Sequence, residues 1–216
     1  MAWLDEGING KEIDWLDNYY NTMKKINKLL LLVLVFNLMA YSQEEDNARW
    51  QSYIFIDLNA SNKSSYEYYD LNKITQETSI NGKGSLELAY NIDYKIFRKI
   101  SAVGVASLTN YNNPSFASIK TGLGLKLLYV DHKYHYLTIQ YGYHIPFNKS
   151  DFREGHQIKI GQVFDVANVF NKRLLVGFYY NNDFFYMENS EPLLSNAASS
   201  FSLSTNSYGI SLGLKF

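Results

Sequence analysis

Cysteine is absent from the 216 residues, so disulfides, thiol catalysis and cysteine-ligated metals are all excluded. Proline occurs only three times and charged residues make up 19%, below the roughly one quarter usual in soluble domains. The formal net charge is −1, which leaves no basic surplus with which to bind a nucleic acid. From about Gln51 onward there is no convincing helical periodicity and no low-complexity tract. A mean hydropathy of −0.25 excludes a bundle of membrane helices. It leaves open a membrane barrel, whose strands are apolar only at every second position.

Aromatic residues, by contrast, are plentiful. They account for 16% of the chain and include nineteen tyrosines. Tyrosine carries an apolar ring and a polar tip, so such a surplus suits a boundary between an apolar and a wet phase. The length allows one domain and argues weakly for two.

The single long apolar run lies near the amino end. Met23-Lys24-Lys25-Ile26-Asn27-Lys28 is basic and is followed directly by Leu29–Phe36, the apolar character continuing past Asn37 to Tyr41. At about a dozen residues the run is short of the roughly 20 that a membrane helix needs. Ala40-Tyr41-Ser42 then places small residues at −3 and −1 before Gln43, and the polar segment Gln43–Asn47 follows. Basic region, short apolar region and small-x-small site together make a secretory signal peptide over 23–42, preferred to a core helix or an anchor. Residues 1–22 then read as a non-native upstream extension, with translation starting at Met23 and a mature domain over 43–216.

That domain alternates with period two. In Ser85–Tyr94, Leu86, Leu88, Tyr90, Ile92 and Tyr94 share one face, while Glu87, Asn91 and Asp93 share the other. Lys120–Leu127, Tyr136–Ile145 and Tyr208–Phe216 repeat the pattern, and Gln51–Asn59, Lys99–Asn110, His156–Asp165 and Arg173–Phe184 follow it less cleanly. The expectation is an all-β, antiparallel up-and-down barrel of about eight strands, each near the 9–11 residues a tilted membrane strand requires. The non-apolar faces are rich in small residues: Ala102, Gly104, Ala106, Gly122, Gly124, Gly142, Gly161, Gly177, Gly209 and Gly213. Small side chains suit a crowded lumen, where Glu87, Asp93, Lys120, Lys126 and Lys159 could pair across the interior and Tyr136 and Tyr179 would add bulk. The leucine and tyrosine faces would then meet lipid.

Connection lengths agree. With both termini on one side, the outward connections are Ala60–Asn81, Tyr111–Ser115, Asn148–Arg153 and Phe185–Thr205. The inward ones are Ile96–Arg98, Asp131–Lys133 and Val166–Lys172. Both long connections fall on the outer side, as in outer-membrane barrels.

The chain stops at Tyr208-Gly209-Ile210-Ser211-Leu212-Gly213-Leu214-Lys215-Phe216. A terminal aromatic preceded by alternating apolar residues resembles the carboxyl-terminal assembly signal of outer-membrane barrels. The resemblance implies recognition by the barrel-assembly machinery through Phe216 and a final home among outer-membrane lipid. The domain looks like the small eight-stranded Gram-negative outer-membrane proteins. No motif matches the outer-membrane protein A or W families residue by residue, so only fold and location follow.

Chemistry is sparse. His132 and His135 flank an inward turn, and a spacing of three on a strand end puts them on opposite faces, unsuited to a shared metal. His144 points into the lumen near the outer rim and His156 opens the next strand, with Ser150, Asp151 and Glu154 in the adjoining loop. A rim hydrolase acting on lipid would need such groups together, but no serine has a nucleophile motif around it. Gly122-x-Gly124 lies mid-strand with no helix behind it, so it is packing and not a phosphate loop. Asp46, Asp57 and Asp70 lack calcium-loop spacing. No residue is therefore assigned a catalytic, cofactor-binding or metal-binding role. The expected function is non-enzymatic: a structural, surface-binding or small-ligand role through the outer loops, with the ligand undefined. A soluble lipocalin-like barrel with its leucines inside is the alternative, and the lipid-modifying hydrolase is the third.

Overall fold

Alternation from Trp50 onward produces ten strands and, among the described residues, no helix. In chain order they are β1 (Trp50–Ala60), β2 (Lys63–Asp70), β3 (Thr75–Asn81), β4 (Ser85–Phe97) and β5 (Ile100–Asn112). They continue with β6 (Ser115–Leu128), β7 (Tyr136–Pro146), β8 (Phe152–Val169), β9 (Lys172–Met187) and β10 (Ala197–Lys215). The computed structural model describes residues 49–61, 63–129, 135–148, 151–169, 172–187, 193–194 and 197–216. The expected upstream extension 1–22 and signal peptide 23–42, and with them His132 and Ser150, lie outside the described residues.

Every pairing is antiparallel, and the order β1-β4-β5-β6-β7-β8-β9-β10 closes through β1 with β10 into a ring of eight. One continuous row of partners shows the register: Leu125 faces Ile139, Ile139 faces Ile160, Ile160 faces Tyr180 and Tyr180 faces Tyr208. Closure removes the free edges that an open sheet of this size would present. Below Ala60 the wall of β10 pairs with β1; above it, from Thr205 to Ala197, the same strand pairs with β2. The β2–β3 hairpin thus prolongs the barrel beyond its ring, at the end away from Trp50 and Phe216. That end is the crown, and the end with the termini is the base.

The outer wall is apolar. Leu123 is 75% exposed and Ile210 53%, whereas the neighbouring inward Lys120 and Ser211 are 1% and 0% exposed. Leu86, Leu88, Leu125, Ile139, Ile158, Ile160, Phe178 and Leu212 all face outward as well. Water would not tolerate such a belt, since soluble monomers rarely show contiguous apolar patches beyond a few hundred Å². From Tyr208 to Phe216 the belt runs eight steps, about 26 Å of strand and about 20 Å of height at a tilt near 40°. Rings edge it at both ends. Trp50 lies 4.7 Å from Tyr94 at the base and Tyr180 lies 5.5 Å from Tyr208 near the crown. Lys172 Nζ sits 5.2 Å from the Phe216 ring, at the base. This is the wall of a transmembrane β-barrel. The soluble alternative required the leucines inside, and they are outside.

Three expectations need correction. Ala60–Asn81 is not a loop but the β2–β3 hairpin, which alternation around Tyr66 and Tyr68 encodes without the leucines of a lipid-facing strand. Phe185–Thr205 likewise contains the end of β9 and the first half of β10. There the serine-rich sequence exposes Phe201 as its one large apolar residue because it stands above the belt, and register shifts near Ser199 and Ser202 blur its period. Finally, Ala102, Gly104 and Ala106 face outward; the inward row of β5 is Ser101, Val103, Val105, Ser107, Thr109 and Tyr111. Both faces of that strand are small and weakly polar, so polarity alone could not orient it.

The hairpin turn is held by Asp70. Its Oδ1 accepts the backbone N–H groups of Ile74 (2.9 Å) and Asn72 (2.8 Å), and Lys73 takes φ 61° between them. The Ile74 hydrogen bond, helped by Asn72 and Gln76, holds the Asp70 carboxyl below its ordinary 3.8. A lowered carboxylate pKa stabilises above the ordinary value and loses that contribution as pH falls through the lowered one. Amide protection over Thr75–Asn81, corrected for the intrinsic exchange rate at each pH, is therefore expected to fall below about pH 4, and Asp70→Asn should give the faster exchange already at pH 7. An unchanged exchange pattern in D70N would remove the turn from this role.

Candidate functional site

The inward faces build the site in layers. At the base, Tyr53 and Phe55 from β1 meet Tyr136 of β7, Val163 of β8, and Leu175 and Tyr179 of β9. Glycines make the room. A Cβ on Gly161 would lie 1.9 Å from the Tyr179 ring, and one on Gly213 would lie 2.2 Å from the Phe55 ring. Each large ring therefore fills the space left by a glycine on an adjoining strand, and this explains the glycine-rich inner face. Lys126 reaches Asp93 in the same layer, with its Nζ 3.8 Å from the ring centroids of both Tyr53 and Tyr136.

Above lies a charged layer. Lys159 pairs with Asp57 and stands 3.7 Å from Glu87 Oε2. Lys120 pairs with Glu87 and donates to Gln157 Oε1 at 2.5 Å, and Gln157 Nε2 donates to Asp183 Oδ1 at 2.8 Å. Asn181 donates to Asn59 (2.8 Å), which donates to Ser85 (3.2 Å). Acids and lysines alternate from Asp57 through Lys159 and Glu87 to Lys120, so each of these four buried charges has an opposite neighbour, and the neutral Gln157 links them to Asp183. Glu87, Lys120 and Asp57 are at most 1% exposed. In a water-filled pore these side chains would be the most exposed in the protein. The lumen is closed by its own side chains.

A second plug caps the charged layer. Phe116 stacks on Tyr111 (4.5 Å) and on Phe152 (4.1 Å), and Phe185 stands edge-on to all three. Tyr66 and Tyr68 of the hairpin stack nearby, Tyr66 hydroxyl meeting Ser200 Oγ at 2.7 Å. Beyond the rings, a cleft of about 450 Å³ opens at the crown between β3 and the β5–β6 turn. It is lined by Ile80, Pro114, Leu193 and Leu194 together with Ser79, Asn81 and Asn113. Asn113 Nδ2 donates to the Asn81 carbonyl at 2.6 Å.

The histidines fall into separate places. His144 is wholly buried, as expected for a lumen residue, but its neighbours are not the loop groups. Its Nδ1 lies 2.8 Å from Ser118 Oγ and its Nε2 3.5 Å from Asp183 Oδ1, beneath the ring stack. Serine, histidine and aspartate do meet here, but Ser118 is 0% exposed and no substrate carbonyl has a route to it. Asp151 is buried and Glu154 accepts the Tyr143 hydroxyl, while Ser150, the serine of the rim grouping, lies outside the described residues. His156 faces outward on β8, and His135 packs against Phe164 at the base. Among the described residues no group of three or more His, Asp or Glu is placed to hold a metal.

Sequence reasoning identified Glu87, Asp93, Lys120, Lys126 and Lys159 but missed Asp57, Gln157, Asp183 and Ser118. Each occupies an inward position of its strand, which is the one signal available. Gln157 and Asp183, like Ser118 and His144, meet across adjoining strands 26 residues apart, whereas Asp57 and Lys159, 102 residues apart, meet only across the closed ring.

No protein-family model and no curated protein sequence matches the chain. Among solved structures it is similar to the outer membrane protein AlkL, determined in lipid bilayers, with 13% identity and a TM-score of 0.48 over 81% of this chain and 93% of that one. A de novo designed transmembrane β-barrel gives 10% identity and 0.38, over 79% and 99% of the two chains. A FadL homologue from Pseudomonas aeruginosa gives 9% and 0.33, with 65% of this chain covering 36% of that one. The apolar wall, and not these distant likenesses, is what places the chain in a bilayer.

Proposed function

We propose that this chain is a Gram-negative outer-membrane protein, exported through the 23–42 segment and assembled through the final strand ending at Phe216. Its crown faces outward, its lumen carries no solute, and its work is non-enzymatic binding at the crown cleft. The ligand class that suits a cleft lined by Ile80, Pro114, Leu193 and Leu194 together with Ser79, Asn81 and Asn113 is a small amphipathic molecule with an apolar ring and a hydrogen-bonding edge. One observation carries the reading: charged and aromatic side chains seal the lumen below, while the concave, half-apolar surface lies on the crown side of that seal.

Two measurements test it. In planar bilayers the purified barrel is expected to give no steady single-channel steps, and reproducible steps would overturn the sealed lumen. In nanodiscs, 5-fluoroindole is expected to show fluorine line broadening beyond that in empty discs, and Ile80→Asp should abolish the excess. Equal broadening with and without the protein, or in the variant, would overturn the cleft as the binding site.

A further inference from the structure

We infer that the free edge of β3 is a strand-addition site, which takes an extended segment of another protein as one more strand at the crown, antiparallel like every other pairing in the barrel. Backbone groups of β3 do the binding, so the site stands whether or not a small ligand enters the cleft.

β3 stands at one end of the strand order and, among the described residues, pairs with β2 alone. The hairpin turn fixes which of its backbone groups are left over. Asp70 N–H donates to the Ile74 carbonyl at 3.0 Å, and the register then sets Tyr69 opposite Thr75 and Tyr68 opposite Gln76. Hydrogen-bonded positions alternate along an antiparallel pair, so Gln76, Thr78 and Ile80 bond to β2. Thr75, Glu77 and Ser79 point their N–H and C=O groups the other way. Asn81 has the same phase, and its carbonyl accepts Asn113 Nδ2 from the β5–β6 turn. That contact ties the foot of the edge and leaves the three residues above it facing the opening.

Edge strands are ordinarily blunted by a bulge, a proline or an inward charge. β3 has none of these. Its register with β2 is unbroken from Thr75 to Asn81, and its one charged side chain, Glu77, is exposed and receives the Ser65 hydroxyl. Lys73 and Lys83 lie beyond its two ends. A row of alternating donors and acceptors at strand spacing is matched by another backbone. The side chains of an added strand opposite Thr78 and Ile80 would share the face of Ile80, which lines the cleft with Leu193 and Leu194, so apolar residues at alternate positions suit it. A second copy in the same bilayer cannot supply this strand. Identical edges pair antiparallel about a two-fold axis normal to the barrel wall. That axis lies in the membrane plane and would turn the copy upside down.

The probe is a heptapeptide of alternating valine and threonine with a lysine at each end, added to the full barrel in detergent micelles and followed by hydrogen exchange at single amides. Without it, Thr75, Glu77 and Ser79 should exchange faster than Gln76, Thr78 and Ile80, and the peptide should slow the first set. N-methylation of its two threonines, whose N–H groups would meet β3, should weaken binding about tenfold. N-methylation of two of its valines, whose N–H groups point away, should leave binding unchanged. Ser79→Pro removes an edge N–H without touching the β2 pairing and should also weaken the unmodified peptide about tenfold, with heat-modifiable migration confirming a folded barrel. Slow exchange of the three edge amides before the peptide is added, no slowing after it, or full binding to S79P would each overturn the proposal. So would equal binding of the two methylated peptides, which would reduce the contact to apolar side chains in the cleft.

Discussion

Glu87→Ala is expected to cost about 3–5 kcal/mol of unfolding free energy, because it leaves Lys120 and the nearby Lys159 buried with one acid fewer between them. Glu87 is fully buried, so no water replaces the lost carboxylate. The pair itself need not be worth that much. Two charges taken out of water give back much of their attraction as desolvation, and the penalty appears when one is removed alone. Glu87→Leu combined with Lys120→Met should therefore recover a large part of the loss, whereas two independent contributions would add. Urea unfolding in lipid vesicles reads all three proteins. A single variant within about 0.5 kcal/mol of wild type would mean that the layer is hydrated and the lumen open.

The second large effect concerns the wall. Leu125 is an outward residue in mid-belt, opposite Ile139. Arginine there should destabilise the barrel by about 2–4 kcal/mol in a bilayer, the range for cations near the midplane of a membrane barrel. Leu71, 77% exposed in the hairpin turn, is just as apolar but stands at the crown. Leu71→Arg should change stability by no more than about 0.5 kcal/mol. The contrast is informative because residue type and exposure are held similar while height alone differs. If both substitutions are equally mild, the belt does not meet lipid.

These outcomes rest on features that were unequally legible. Strands such as Ser85–Phe97 could be read directly, since Leu86 and Leu88 against Glu87 and Asp93 leave one face for lipid and one for the lumen. β5 could not, because Ala102, Gly104 and Ala106 oppose Ser101, Val103 and Ser107, and neither side declares a solvent. The hairpin Lys63–Asn81 was hidden for a related reason. Above the bilayer a strand has water on one face and tyrosines on the other, so the lipid signal that marks the remaining strands is missing. His144 was placed correctly in the lumen, yet it was linked to loop groups near in sequence and not to Ser118 and Asp183, which share its layer.

By itself, the sequence determined the solvent of the faces of strands such as β4 and β10, the closed antiparallel architecture, the sidedness of long and short connections and the crowding of the lumen. Period two and glycine placement are local properties, and each residue carries them alone. Tertiary structure alone decided which lysine meets which acid, how the Tyr111–Phe116–Phe152 stack seals the crown, and where a cleft remains. Those depend on register around a closed ring, where Asp57 and Lys159, far apart in the chain, become partners only once β10 has paired with β1.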